Sequence, residues 1–288
     1  MKFAAVLALA ALTLSGSLAR AQFFTGPAAS GAGGAGRAAI DPGEASFLNP
    51  AALAHLNAYY ISANYGIGHH EVDGDFNQYG VQLADHSEGV AVPGAFSYIR
   101  RRQELQNGIG ITQQDFQLAL GGFALDSLAV GVTGHRQTDV FSTGQEHEQW
   151  NGHLGLIYTP VEALGVGLVA YDILPGKDTV PLGTRQITTY ALGLNWIVKE
   201  MFRMRLDVVR PDRHNVANRN DVGFGIESWM REDFVVRFGH LWKETRDQGF
   251  LTAGVGYRGP RLSFNYTFQK DVRVAEGVRH LVDLWLPF

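Results

Sequence analysis

From Tyr59 to the end of the chain, apolar and polar residues alternate with a period of two. That period sends successive side chains to opposite faces of a strand. Tyr59, Ile61, Ala63, Tyr65 and Ile67 share one face; Tyr60, Ser62, Asn64 and Gly66 share the other. The alternation recurs at 78–83, 116–121, 127–133, 150–158, 189–196, 203–208, 221–227, 234–239, 251–257 and 262–269. Weaker runs fit at 90–99 and 164–174. This predicts about fourteen strands of roughly ten residues, the length that crosses a bilayer when tilted.

The second face decides between a soluble sheet and a membrane barrel. It carries mainly Gly, Ala, Ser, Thr, Asn and Gln, with few charges. A surface facing bulk water would hold far more Lys and Glu, whereas a lumen suits small and neutral polar groups. Aromatic residues gather toward strand ends, at Tyr59, Tyr98, Trp150, Tyr158, Trp196, Trp229, Trp242, Tyr257 and Trp285. Amphipathic rings at both borders of an apolar band are interfacial girdles. The expected fold class is therefore all-β, a transmembrane antiparallel β-barrel of about fourteen strands. Long connections at 68–77, 100–113, 138–148, 175–185, 211–220, 243–249 and 270–277 alternate with short ones. With an even strand count this places both termini in the periplasm and the protein in the outer membrane of a Gram-negative bacterium, in contact with outer-membrane lipid.

The N-terminus reads as an export signal. Lys2 is followed by an apolar run over 3–14 and by Ala19-Arg20-Ala21, a small-x-small cleavage pattern. That run is too short for a helical span. The expected organisation is a signal peptide at 1–21, an N-terminal segment without period at 22–57, and the barrel at 58–288. Composition agrees: glycine is frequent (35 residues), cysteine is absent, and the net charge is −4. The charge offers no basic surface for nucleic acid. The missing thiols exclude disulfides and thiolate metal sites.

The last residues carry a further signal. His280, Val282, Leu284, Leu286 and Phe288 alternate on one face, and the final residue is aromatic. Such an ending resembles the assembly signal read by the barrel assembly machinery, which it implies as a partner. The stretch 33–53, GGAGRAAIDPGEASFLNPAAL, resembles the start of the long-chain fatty-acid transporter (FadL-type) superfamily with its PorV/PorQ-like relatives. Asn49-Pro50-Ala51 matches the Asn-Pro-Ala motif that follows a Gly/Ala-rich lead in those proteins. The resemblance implies an N-terminal hatch plugging a fourteen-strand barrel, and a hydrophobic small molecule as ligand. In that family a strand kink opens the wall sideways, and Pro93-Gly94 is the one candidate break.

Candidate chemistry is sparse. Arg203, Arg205 and Asp207 share the polar face of one strand, with Arg237 two strands on and Glu227 and Asp221 between. Buried charges must pair or meet water. The group is read as an Arg–carboxylate network that holds the hatch or fills the lumen, or as a seat for an anionic head group. The hatch is expected to fold inside around Asn49 and Pro50. His69-His70 with Asp73, and His86-Ser87, do not have a spacing that specifies a site. His147 between Glu146 and Glu148 reads as a solvated loop before it reads as a metal site. No Gly-x-Ser-x-Gly elbow occurs. No catalytic residue, cofactor or metal is therefore expected, and the chain is not read as an enzyme. Three functions remain: passive transport of small hydrophobic or amphipathic compounds, a non-conducting docking barrel for a secretion or surface-attachment partner, and an outer-membrane hydrolase. The residues leave ligand and oligomeric state open.

Overall fold

A computed structural model describes residues 24–71, 73–104, 108–181, 183–199, 201–212, 219–230 and 233–288. The proposed signal at 1–21 lies outside them. Fourteen strands form a closed antiparallel barrel in which every strand pairs with its neighbours in sequence and β1 pairs with β14. They run from β1 (Tyr59–His70), β2 (Asp75–Asp85), β3 (Gly94–Glu104) and β4 (Gly110–Leu125) to β5 (Leu128–Phe141), β6 (Glu146–Val161) and β7 (Leu164–Tyr171). The second half comprises β8 (Thr189–Val198), β9 (Phe202–Pro211), β10 (Asp221–Met230), β11 (Phe234–Lys243), β12 (Gln248–Arg258), β13 (Ser263–Asp271) and β14 (Gly277–Pro287). β1 starts and β14 ends at the lower end; the turns at 71–74 and 272–276 lie at the upper end. Closure pairs the first strand with the last and so removes the two free edge strands of an open sheet, the condition for a sheet to sit in lipid. The seam is finished by the last residue, whose amide donates to the Tyr59 carbonyl at 2.8 Å.

The exposed face is the apolar one. Ile61, Tyr65, Leu118, Leu154, Leu192, Phe238 and Leu251 are all exposed, while their polar neighbours in sequence point inward. This inversion of a soluble protein's surface follows from lipid being the outer solvent. Tyr98 and Trp285 depart from the expected girdle. Tyr98 is mid-strand, and Trp285 faces inward at 7% exposure, packed edge-on against Tyr60.

Strand bounds also differ from the pattern. β3 starts at Gly94, later than expected, because Pro93 has no amide to give the ladder. Pro93 is thus outside the strand, its carbonyl accepting from Gly121, and β3 is paired along its whole length on both sides. No break occurs there. The irregular place is instead β6–β7. β6 reaches up to Glu146, but β7 stops at Tyr171 and pairs with it only from Leu154 downward. Above that point the residues just after β7 lean on β6: Ile173 donates to the Gly152 carbonyl and Leu174 to the Asn151 side chain. Several upper strands run past their expected ends, so the contrast of long upper and short lower connections is weaker than expected. The upper turns 71–74, 142–145 and 244–247 are shorter than the lower connection 86–93.

Inside lies the N-terminal segment, with two short helices, α1 (Pro27–Gly31) and α2 (Ala45–Leu48), and a 3-10 turn (Pro50–His55). Elements this short have little helical stability of their own; packing against the wall holds them. The wall is shaped to receive them. Ala84, Ala95 and Ala119 are register partners facing the 3-10 turn. Gly121, Gly131 and Gly155 form a second cross-strand row, and Gly225 and Gly239 a third. A Cβ on Gly131 would lie 2.6 Å from the Pro50 carbonyl oxygen, and one on Gly239 2.6 Å from the Ala32 carbonyl carbon. These glycines are there because backbone meets backbone.

Candidate functional site

The plug carries three Arg, Asp and Glu side chains, Arg37, Asp41 and Glu44, among small apolar residues, and burial with Asp41 and Asp283 nearby pushes the Glu44 carboxyl up to about 8. Each has a specific partner. Glu44 accepts from the Ala28 and Ala29 amides at 2.6 and 3.1 Å, tying α2 to the first turn of α1. Arg37 donates to Asp207 on β9 at 2.8 Å and to the Tyr171 hydroxyl at 3.0 Å. Asp207 also accepts the backbone amides of Gly36 and Arg37. Asp41 accepts from Arg205 at 2.7 Å and from Arg258 at 3.2 Å. Burial alone would raise the Asp41 pKa, but the guanidinium groups of Arg205 and Arg258 hold it well below the usual carboxylate range.

The sequence-predicted Arg group is therefore one site with two functions in the packing. Glu227 is its centre, accepting from Arg205 at 3.1 Å and Arg237 at 2.6 Å, with Arg203 at 3.2 Å. Arg237 also donates to Asn265. Arg205 bridges Glu227 on the wall to Asp41 on the plug. Asp221 does not join; its carboxylate accepts from Thr245 at the upper rim. Asn49 follows α2 and Pro50 opens the 3-10 turn, against β5 and β6. The Asn49 amide donates to the Arg37 carbonyl at 2.8 Å and to the Leu156 carbonyl at 3.1 Å, and its oxygen caps Ala51. Pro50 lies over Gly131 and Gly155. His280, Val282, Leu284 and Leu286 share the outward face of β14.

Above the plug is a cavity of about 140 Å³. Its floor is Thr25, Ser30, Gly34 and Arg37, and its walls include Phe76, Leu241 and Leu281. Arg101, Lys243, Arg246 and Arg279 also line it, against Asp207 and Asp221 as the lining acids. Phe250 sits behind them, with Arg279 over its ring at 4.2 Å. Arg101 lies over Phe76 at 4.7 Å. Cations stacked on aromatic faces give a rim that is both charged and greasy. Asp73, between β1 and β2, is tied to this rim. Asp73 accepts from Gln248 at 2.8 Å and lies 3.7 Å from both Arg246 and Arg279. Burial would raise its pKa; Arg246, Gln248 and Arg279 outweigh that and lower it to about 2.

The fold can be placed among solved structures. The toluene transporter TbuX of Ralstonia pickettii superposes with a TM-score of 0.75 at 12% identity, over 93% of this chain and 99% of that one. The toluene transporter TodX of P. putida gives 0.74 at 10% identity, over 92% and 98%. A FadL homologue of Pseudomonas aeruginosa gives 0.66 at 12% identity, over 92% and 98%. This is the fold of the FadL- and TodX-type outer-membrane barrels. No family model and no curated protein sequence matches the chain. At such identities the likeness shows the FadL-type architecture, plug included, and the chemistry of the lumen has to be read from this chain's own residues.

Sequence reasoning missed Asp41, Glu44, Arg37 and Tyr171. The available signal was the isolation of three charges in a Gly/Ala-rich stretch. A charge in such a setting needs a partner if the segment is buried.

Proposed function

We propose that the protein is an outer-membrane channel for passive passage of small amphipathic or hydrophobic compounds, with its upper end outside. The observation that carries this is the cavity between the plug and the upper rim. At about 140 Å³ it is close to the volume of an apolar cavity that holds one benzene ring, about 150 Å³. Its four lining arginines, Arg37, Arg101, Arg246 and Arg279, with Lys243 beside them, outnumber its two acids. That balance favours an amphiphile with an anionic head group over a bare hydrocarbon. The similarity to structures solved as toluene transporters supports the general reading. Contact with outer-membrane lipid and handling by the barrel assembly machinery fit the exposed apolar band and the β14 ending.

Mass spectrometry of the barrel extracted in mild detergent tests the proposal. A stoichiometric acyl or aromatic acid, displaced in an Arg279→Ala, Lys243→Ala double variant, is the expected result. A clean barrel that also admits no such solute into proteoliposomes would sink it. In that case the docking barrel becomes the reading, and one feature already favours it: the plug residues Ala29, Ala32, Ala35, Ala51 and Leu53 are fully buried against the wall. The hydrolase reading gains no such support, and TbuX, TodX and CymD, which share the fold, are described as transporters or channels.

A further inference from the structure

A second polar cluster lies on the inner wall of β4 to β7, away from the Arg group. His135 on β5, His153 on β6 and Asp172, the residue after β7, are all buried. One ring nitrogen of each histidine and one carboxylate oxygen of Asp172 lie within 4.8 Å of one another. The imidazole centroids are 4.4 Å apart. Asp172 has φ +51, in the left-handed region, and this turn out of β7 sets its carboxylate 2.9 Å from His135 Nε2. The opposite nitrogen of the same ring, Nδ1, is 3.0 Å from Asp115 on β4. Asp115 is itself fixed by Gln117, which donates to its second oxygen at 2.7 Å.

We infer that His135, His153 and Asp172 bind a divalent transition-metal ion of the zinc, copper, nickel and cobalt class. Two imidazoles and one carboxylate form a donor set that suits these ions and not calcium or magnesium. The set is also three protein ligands, the number that an open zinc site completes with a water in the fourth position. The strongest sign is outside the ligands. A metal-bound histidine is normally oriented by a carboxylate on its other nitrogen, and the Asp115–His135–Asp172 line has that geometry. In the ion-free arrangement the Asp172 amide donates to His153 Nδ1 at 3.1 Å, so that lone pair already points toward Asp172. Ligation there replaces one hydrogen bond with an ion–nitrogen bond, and the proton shared at His135 Nε2 leaves to solvent.

The site has a consequence for the plug. Tyr171, next to Asp172, accepts from Arg37 and donates to the Leu48 carbonyl. His153 packs edge-on against the Tyr171 ring at 5.2 Å. An ion held by His153 and Asp172 therefore fixes both neighbours of the residue on which the plug leans.

The test is a titration of the folded full-length barrel, made without a polyhistidine tag and stripped with chelator, using Zn²⁺ alone and then Co²⁺ alone. One ion per chain is expected, with cobalt visible bands of a low-coordinate nitrogen/oxygen site. Asp115→Asn is expected to weaken binding by about 10–100-fold without changing the stoichiometry. His135→Ala combined with His153→Ala should abolish it. His69→Ala, which removes an exposed histidine beside Asp75 and Glu276, should leave it unchanged. Absence of stoichiometric binding, loss of binding in His69→Ala, or full binding in the double variant would each overturn the assignment. Should the double variant not fold, zinc X-ray absorption on the unaltered barrel decides. Two imidazoles in a nitrogen/oxygen shell at about 2.0–2.1 Å are expected, and one imidazole or none refutes the site.

Discussion

The inner wall holds two buried polar clusters, and the plug meets them differently. On β9 to β11, three arginines gather around Glu227, and the plug supplies Asp41 as a second carboxylate, held by Arg205. On β4 to β7, Asp115, His135, His153 and Asp172 bond to one another and to the wall, and the plug reaches only the neighbouring Tyr171. The first cluster is a fastener, because without the plug Glu227 alone would face three guanidinium groups and Arg205 would lose one of its two carboxylates. The second makes its hydrogen bonds within the wall, so a ligand there exchanges with wall bonds and not with the plug. Buried charge in a barrel wall thus has two uses, and the partner across the lumen tells them apart.

The sharpest way to break the comparison is Arg205→Ala. It leaves Asp41 and Glu227 buried with one partner fewer, and breaking a buried pair from one side costs about 3–5 kcal/mol. The expected outcome is a barrel that unfolds at clearly lower urea in bilayers and whose 24–57 segment becomes open to protease. His135→Gln should leave plug protection intact; equal loss in both would erase the distinction drawn between the clusters. Next in size is Gly239→Val. Its Cβ would press on the Ala32 carbonyl carbon, and overpacking of this kind costs about 1–3 kcal/mol. A spin label at Ser30 should gain mobility, while strand content by circular dichroism stays unchanged. The smallest effect is a pH dependence at the upper rim. Asp73 has its pKa lowered from 3.8 to about 2. A lowered acid adds stability above its unfolded value and loses it as pH falls through the folded one. The 71–74 turn should therefore hold its contacts to Arg246 and Arg279 down to about pH 4 and release them toward pH 2, as read by amide exchange. In Asp73→Asn the release should be present at every pH.

The barrel was legible because lipid imposes period two on every strand, whatever happens inside. Ile61, Leu118 and Leu251 follow from that rule alone, and so does the inward set of Arg203, Arg205 and Asp207. What each inward residue touches was not legible, since it depends on the path of the plug. Asp41 stands in an Asp-Pro-Gly stretch that reads as a turn, and its partner Arg205 is 164 residues away. The sequence singled out Asn49 and Pro50 by resemblance alone, and Gly131 and Gly155, which lie opposite Pro50, appear only in register. The histidine cluster was hidden by an alternation that is too regular. The run at 164–174 continues past Tyr171 in sequence, whereas the strand ends there, and only that early exit brings Asp172 to His135.

The glycine rows bear on what this lumen would become without its occupant. A pore made by lifting out an ordinary plug keeps side chains on its walls, which narrow and filter the opening. Here the wall at Gly121, Gly131, Gly155, Gly225 and Gly239 has none to offer. Removing 24–57 would uncover bare main chain, so the bore would be wider and less selective than the strand number suggests. The filter of this barrel resides in the segment it encloses.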